Sequence, residues 1–308
     1  LVGYDPVNLN PSDFSAEAQQ TLAMIQQAER PLLWIGHGVR LSGAEQQMRE
    51  LLEALGVPAL VTWQAADLLP DDHPLFVGRA GTYGQRFANL ALQNCDLLIT
   101  LGTRIALPQR GFNDANFSRA SKKVIVDIDP VELNKFTFNV DLSIMGNVAD
   151  FINCMLAELE NTTINNSFDW WKDKIKSWQH KYPMATAPED PQASGINSYW
   201  FINQLSKCLS TDHLIVTDMG TSLTCTHAGI QLKQGQRMMT STGLGEMGFG
   251  LPGAIGAALG APDRRVVLIV GEGSLMMNLQ EFQTLKHLGL DIKVFILNNN
   301  GYLTIKHT

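Results

Sequence analysis

Val266-Val267-Leu268-Ile269-Val270 runs directly into Gly271-Glu272-Gly273-Ser274, and the residues beyond place Met276, Leu279, Phe282, Leu285 and Leu288 at helical spacing. The apolar run is of strand length, and the glycine-rich turn opens onto a helix. A second apolar run, Ile292 to Leu297, follows and ends in Asn298-Asn299-Asn300-Gly301. The pattern predicts a strand, a helix over 276–288 and a parallel strand. In such a unit both strand ends open on the same edge of the sheet, where α/β folds bind ligands.

A helix N-terminus offers free N–H groups and a positive dipole end, and glycines let a phosphate approach the backbone. Gly273 and Ser274 are therefore candidate diphosphate contacts. No lysine occupies this turn; Glu272 stands where a phosphate-binding cation is expected. A carboxylate beside a phosphate needs a metal. The strand exit Asn298-Asn299-Asn300-Gly301 supplies amide and carbonyl oxygens of the kind Mg²⁺ accepts beside the Glu272 carboxylate. Taken singly, the turn also reads as an ordinary tight turn and the asparagines as a polar strand exit.

Working outward, the same rhythm extends upstream to Ser198: a helix to Leu209, a strand over 214–217 and a glycine-rich stretch from Gly243 to Gly260. It also fills 14–148, with strands expected at 32–35, 59–62, 96–101 and 124–128. A helix is expected over 44–55, with Met48, Leu51, Leu52 and Leu55 inward and Gly56-Val57-Pro58 as its stop. Between the halves, 157–196 is polar and proline-broken, with Trp170, Trp171 and Trp178 as anchors onto a domain surface. The expected architecture is α/β: two doubly wound parallel-sheet domains, 14–156 and 197–308, joined by the linker 157–196, the second domain truncated.

Charged residues are 17% of the 308 and the hydrophobic fraction is 45%, which excludes a disordered chain. The net charge of -7 gives no footprint for nucleic acid or an anionic membrane, and no apolar run approaches the roughly 20 residues a spanning helix needs. Cys95, Cys154, Cys208 and Cys225 lie far apart and read as buried thiols of a cytoplasmic protein. The sequons at Asn116, Asn161 and Asn165 carry no weight without a secretory signal, and Leu1 suggests a piece of something longer.

The turn with its acid, the 24 residues that separate it from Asn298-Asn299, and the strand context resemble the diphosphate–metal motif of thiamine diphosphate enzymes. Ser241-Thr242-Gly243-Leu244-Gly245-Glu246-Met247-Gly248-Phe249-Gly250-Leu251-Pro252 is similar to the acetohydroxyacid synthase (acetolactate synthase) large subunit. The resemblance implies that the Gly245 carbonyl and the Met247 N–H hold the cofactor's aminopyrimidine, while the Met247 side chain keeps the cofactor bent. It implies Gly220 and Thr221, in Thr217-Asp218-Met219-Gly220-Thr221-Ser222, at the phosphate end, although Thr221 and Ser222 depart from the family's Gln-His. It implies Mg²⁺ on Glu272, Asn299 and Gly301, with Glu272 replacing the usual Asp. Close helix–sheet packing is the alternative reading of the glycines.

The first half resembles the middle domain of the same enzymes, which in several members binds FAD without using its redox chemistry. Gly36, Gly38, Gly81, Gly102, Arg104 and Asp127 are the candidate FAD residues; a structural domain that has lost flavin is the alternative. Gly36-His37-Gly38 fails the nicotinamide fingerprint because Leu41 takes the place of the third glycine. The activity implied is decarboxylation of a 2-oxo acid and transfer of the resulting two-carbon unit. Two-carbon transfer to a keto sugar and a non-catalytic cofactor-binding module stay open. No catalytic residue is expected in this chain: family members activate the cofactor with a glutamate from an N-terminal domain of a neighbouring subunit, so a homo-oligomer is expected and the chain alone should be silent. Thr308 stands where the family carries a tryptophan contacting the second substrate, which implies a different acceptor pocket.

Overall fold

Two parallel sheets divide the strands between them. The computed structural model describes residues 11–184, 186 and 195–306; Thr308, and with it the acceptor-pocket expectation, lies outside the described residues, as do Pro188 and Pro191. The first sheet holds β1 (Pro31–Ile35), β2 (Ala59–Val61), β3 (Phe76–Gly78), β4 (Leu97–Leu101), β5 (Lys122–Asp127) and β6 (Leu142–Met145), in the order β3-β2-β1-β4-β5-β6. The second holds β7 (His213–Thr217), β8 (Arg237–Met239), β9 (Arg265–Gly271) and β10 (Ile292–Leu297), in the order β10-β9-β7-β8. Every ladder is parallel. The order reverses between β1 and β4 in one sheet and between β7 and β9 in the other, and at such switch points a crevice opens at the C-terminal strand ends.

Helices cover both sheets because their apolar positions recur every three or four residues. Helix Glu45–Leu55 buries Met48, Leu51, Leu52 and Leu55, and Gly56 ends it in the left-handed region at φ +62°. Each of these leucines contributes several kcal/mol, since Leu→Ala in such a core costs about 2 to 5 kcal/mol. The first core also takes in Phe168, Trp171 and Ile175. They belong largely to helix Asp169–Lys181, within the segment read as a proline-broken linker. Trp171 is the anchor, its indole donating to the Pro31 carbonyl at 3.0 Å, whereas Trp170 faces outward.

Several expectations need correction. Strands β3, β6 and β8 were not anticipated; each is a short sheet edge, and β8 consists of Arg-Met-Met, so none carries a long apolar run. The helix expected over 276–288 begins at Glu272, stops at Met277 and resumes at Glu281–Leu288. Asn278 breaks it, with φ -132° and its side chain turned to the Gly248 carbonyl. Met276, Leu279 and Leu288 are exposed rather than inward. Cys95 and Cys225 are buried, with burial pushing the Cys95 thiol up to about 11, but Cys208 is exposed and Cys154 half-buried. Cys154 packs at the margin of the first core, where its sulfur accepts from the Phe14 N–H at 3.4 Å, and Cys208 is the last residue of helix Ser198–Cys208. Among the described residues no helix is long and apolar enough to cross a membrane.

Candidate functional site

The exits of β7, β8, β9 and β10 carry the segments singled out in the sequence, and they meet along one edge of the second sheet. At the β7 exit Asp218, 1% exposed, accepts from the backbone N–H of Met219 at 2.7 Å, Gly248 at 3.1 Å and Gly250 at 2.6 Å. This carboxylate ties the β7 loop to the stretch following Met247. Gly220 comes next at φ +76°, and Thr221 opens helix Thr221–Gly229 with its hydroxyl 3.4 Å from that of Thr304. Gly245 has φ +70°, and the Met219 methyl lies 3.2 Å from where its Cβ would stand. Gly220, Thr221, Gly245 and half-buried Met247 are thus brought to the same edge.

At the β9 exit, Glu272 is the first residue of its helix and Ser274 is buried. Gly273 has no room for a side chain, because a Cβ would lie 2.5 Å from the Tyr302 ring. Glu272 Oε1 accepts from the Gly301 N–H at 2.8 Å, so the acid and the asparagine turn meet. The Asn299 side-chain oxygen is buried and has no hydrogen-bond partner among the described residues. An orphaned buried acceptor costs about 1 to 3 kcal/mol, and a cation would satisfy it. One carboxylate, one free amide oxygen and the Gly301 carbonyl, which also accepts from Leu303 N–H at 3.0 Å, are hard donors that fit Mg²⁺. Among the described residues no group of three or more His, Cys, Asp or Glu side chains is placed to hold a metal ion, so any cation here would rest on amide and carbonyl oxygens besides the one carboxylate.

A cavity of about 970 Å³ opens at the C-terminal edge of the first sheet. Gly38, Gly102, Arg104 and Asp127 line it; Gly36 and Gly81 do not. Gly36 packs against the β4 exit, where a Cβ would fall 2.1 Å from the Gly102 carbonyl oxygen, and Gly38 N–H donates to that same oxygen at 2.9 Å. These glycines therefore serve backbone-to-backbone packing of β1 on β4. Gly81 packs behind the cavity wall, where a Cβ would fall 2.6 Å from the carbonyl oxygen of the lining residue Pro108, and its N–H donates to Asn89 Oδ1 at 2.8 Å. Arg104 Nη2 donates to Glu132 at 2.7 Å, which raises the already high guanidinium pKa. Burial holds the Asp127 carboxyl above its usual range, against the opposing effect of the Asp129 N–H it accepts at 3.0 Å.

Between the domains lies a polar seam that sequence reasoning missed. Arg79, buried, donates to the Asp71 carboxylate and to the carbonyls of His227 at 3.3 Å and Ile230 at 3.4 Å. Asp67 takes Arg40 at 2.7 Å and Arg237 at 2.8 Å. Gln64 donates to the Thr240 carbonyl at 3.2 Å. Asp218 stood in a quoted motif without a role; its place directly after a strand and before a left-handed glycine was the available signal.

Residues 18–155 match the thiamine pyrophosphate enzyme central domain and residues 218–308 the thiamine pyrophosphate enzyme C-terminal TPP binding domain. With both domains in this order, and the cofactor segments gathered on one sheet edge, the chain belongs to the thiamine pyrophosphate enzymes. Within that family it is similar to acetolactate synthases. It is 37% identical over 289 residues to the acetolactate synthase isozyme 1 large subunit of Escherichia coli (strain K12), covering 94% of this chain and 50% of that one. It is 34% identical to acetolactate synthase 1, chloroplastic, of Zea mays, covering 91% and 43%. With acetolactate synthase of Mycobacterium bovis (strain ATCC BAA-935 / AF2122/97) the figures are 32%, 98% and 48%. The chain spans about half the length of these relatives.

Proposed function

We propose that this chain supplies the middle and cofactor-binding domains of a thiamine diphosphate-dependent carboligase of the acetolactate synthase type, acting on a 2-oxo acid such as pyruvate. The observation that carries the reading is the meeting of Glu272 with the asparagine turn, 2.8 Å from carboxylate to Gly301 N–H, in a turn whose Asn299 oxygen is buried with no hydrogen-bond partner among the described residues. When bound, thiamine diphosphate supplies the electron sink for decarboxylation and two-carbon transfer. The chain's own residues bind and orient. Glu272, Asn299 and Gly301 would hold Mg²⁺; Gly273, Ser274, Gly220 and Thr221 would meet the diphosphate end; and Gly245 and Met247 would take the aminopyrimidine. Proton transfer at that ring falls to a glutamate of a neighbouring subunit in a homo-oligomer, in the cytoplasm.

FAD is the ligand we propose for the cavity of the first domain. Its volume of about 970 Å³ is at the upper end of ordinary ligand sites, and buried Asp127 offers an acceptor for ribose or ribityl hydroxyls. Arg104 would meet the diphosphate in competition with Glu132. Heating the purified full-length protein is expected to release flavin fluorescence; protein free of flavin and unable to take it up would remove FAD from this reading.

The carboligase reading is tested on the full-length protein with pyruvate, thiamine diphosphate and Mg²⁺, scoring acetolactate and carbon dioxide. Product that depends on both additions is expected. Tight Mg²⁺-dependent binding of the cofactor without turnover of any 2-oxo acid would leave only a binding module. A related result concerns the turn itself. Glu272→Asp is expected to tighten Mg²⁺-dependent thiamine diphosphate binding about tenfold, or about 1 to 2 kcal/mol. The longer acid reaches across to Gly301, whereas Mg²⁺ demands near-octahedral oxygens at about 2.0 to 2.1 Å. Equal or weaker binding by the Asp variant in a fluorescence titration would mean that the turn is adapted to glutamate.

A further inference from the structure

The segment that leaves β2 acts as a brace for the cofactor loop of the other domain. Trp63 stacks near the His227 ring, with centroids 5.7 Å apart. Gln64 Nε2 donates to the Thr240 carbonyl at 3.2 Å. Ala66 is buried within a core cluster of the second domain that includes Ile202 and Met238. Asp67, its side chain 1% exposed, accepts from Arg237 Nε at 2.8 Å and Met238 N–H at 2.9 Å, and from Arg40 on its own domain at 2.7 Å.

The polar contacts from Gln64 and Asp67 land on β8 or the residue after it. Among the described residues β8 is an edge strand paired with β7 alone, so the Met238 N–H on its free side needs an acceptor from outside the sheet. Asp67 provides it. The chain then leaves β8 at Thr240 and crosses to Gly248, where Asp218 and Asn278 fix the far end through the Gly248 N–H and carbonyl. Between these two feet lie Gly245 and Met247. The span is otherwise lightly held: Leu244 is 91% exposed, and the bonds within it are Ser241 O with the Gly245 N–H at 3.1 Å and Ser241 with Glu246 at 2.6 Å.

We propose that Gln64 and Asp67 are positioning residues for the Gly245–Met247 segment, setting its near foot through β8 as Asp218 sets its far foot. The proposal rests on the reading of that segment as the aminopyrimidine contact. A loop held at both feet presents its carbonyl and N–H in one arrangement, whereas a loop freed at one foot must be ordered by the cofactor at a cost to affinity.

The test uses the full-length protein with Mg²⁺. Gln64→Glu keeps the shape but replaces the donor with an acceptor facing the Thr240 carbonyl; Asp67→Asn removes the charge that serves two arginines and an amide. Thiamine diphosphate affinity and hydrogen exchange are read together. Weakening of five- to tenfold is expected in both variants, with faster exchange at 241–247 and unchanged exchange in β1, β4 and β9. Unchanged affinity and exchange in Gln64→Glu would overturn the proposal, as would faster exchange spread evenly over both domains, which marks a residue of general stability. If the unmodified protein binds no thiamine diphosphate, the functional reading falls, and the exchange rates at 241–247 then decide the brace by themselves.

Discussion

Asp218→Ala is expected to lower stability by about 3 to 5 kcal/mol and to weaken thiamine diphosphate binding about a hundredfold. The carboxylate accepts three backbone N–H bonds, and the amides of Gly248 and Gly250 are themselves buried. Hydrogen bonds to a charged group are worth about 1.5 to 3 kcal/mol, and a buried amide left unpaired costs about 1 to 3 kcal/mol. The approach is close: a Cβ at Gly250 would stand 2.8 Å from Asp218 Oδ2. Asp218→Asn should lose less, since its amide oxygen still accepts while its amino group opposes one N–H. Urea unfolding and cofactor titration measure the two effects separately. If the Ala variant unfolded near the native midpoint and bound the cofactor as tightly, Asp218 would not be the anchor of the far foot.

The parts of this molecule legible in the sequence are those whose signal is local. The run 266–270 and the turn after it announce a buried strand and a helix start, and Met48, Leu51, Leu52 and Leu55 with Gly56 define a helix and its stop. The edge strands escaped because β3 and β8 span only Phe76–Gly78 and Arg237–Met239, too short for a period to show, and draw their stability from pairing with β2 and β7 rather than from a local apolar run. The break at Asn278 escaped for a similar reason: its side chain leaves the helix to serve the Gly248 carbonyl, 30 residues distant. The candidate site follows the same division. Glu272, Asn299 and Gly301 were visible as residue types at strand ends, and the parallel pairing of β9 with β10 sets Glu272 against the Gly301 N–H. Asp67, Gln64 and Asp218 were silent because an aspartate beside a strand is commonplace until the amide it serves is known.

Acid should loosen the seam between the domains through His227. This ring is 2% exposed, neither nitrogen has a hydrogen-bond partner among the described residues, and the Trp63 ring lies tilted against it, centroids 5.7 Å apart. Burial, reinforced by the neighbouring Arg79 guanidinium, depresses its pKa from 6.5 to about 3. Between those two values the unfolded chain binds a proton that the folded chain refuses, so stability rises with pH in that window. The full stability is present above pH 6.5 and declines as pH falls toward 3. By linkage the loss between pH 7.5 and 4.5 is about 3 kcal/mol. Asp71 pulls the other way: burial lifts its carboxyl, against the opposing effect of Arg79, so the folded state takes up a proton before the unfolded one and the decline is shallower. His227→Gln removes the titration while keeping polarity and similar bulk. Its urea midpoint is expected to hold nearly level over the interval in which that of the unmodified protein falls. Parallel decline of the two midpoints would place the acid sensitivity elsewhere and leave His227 an inert packing residue.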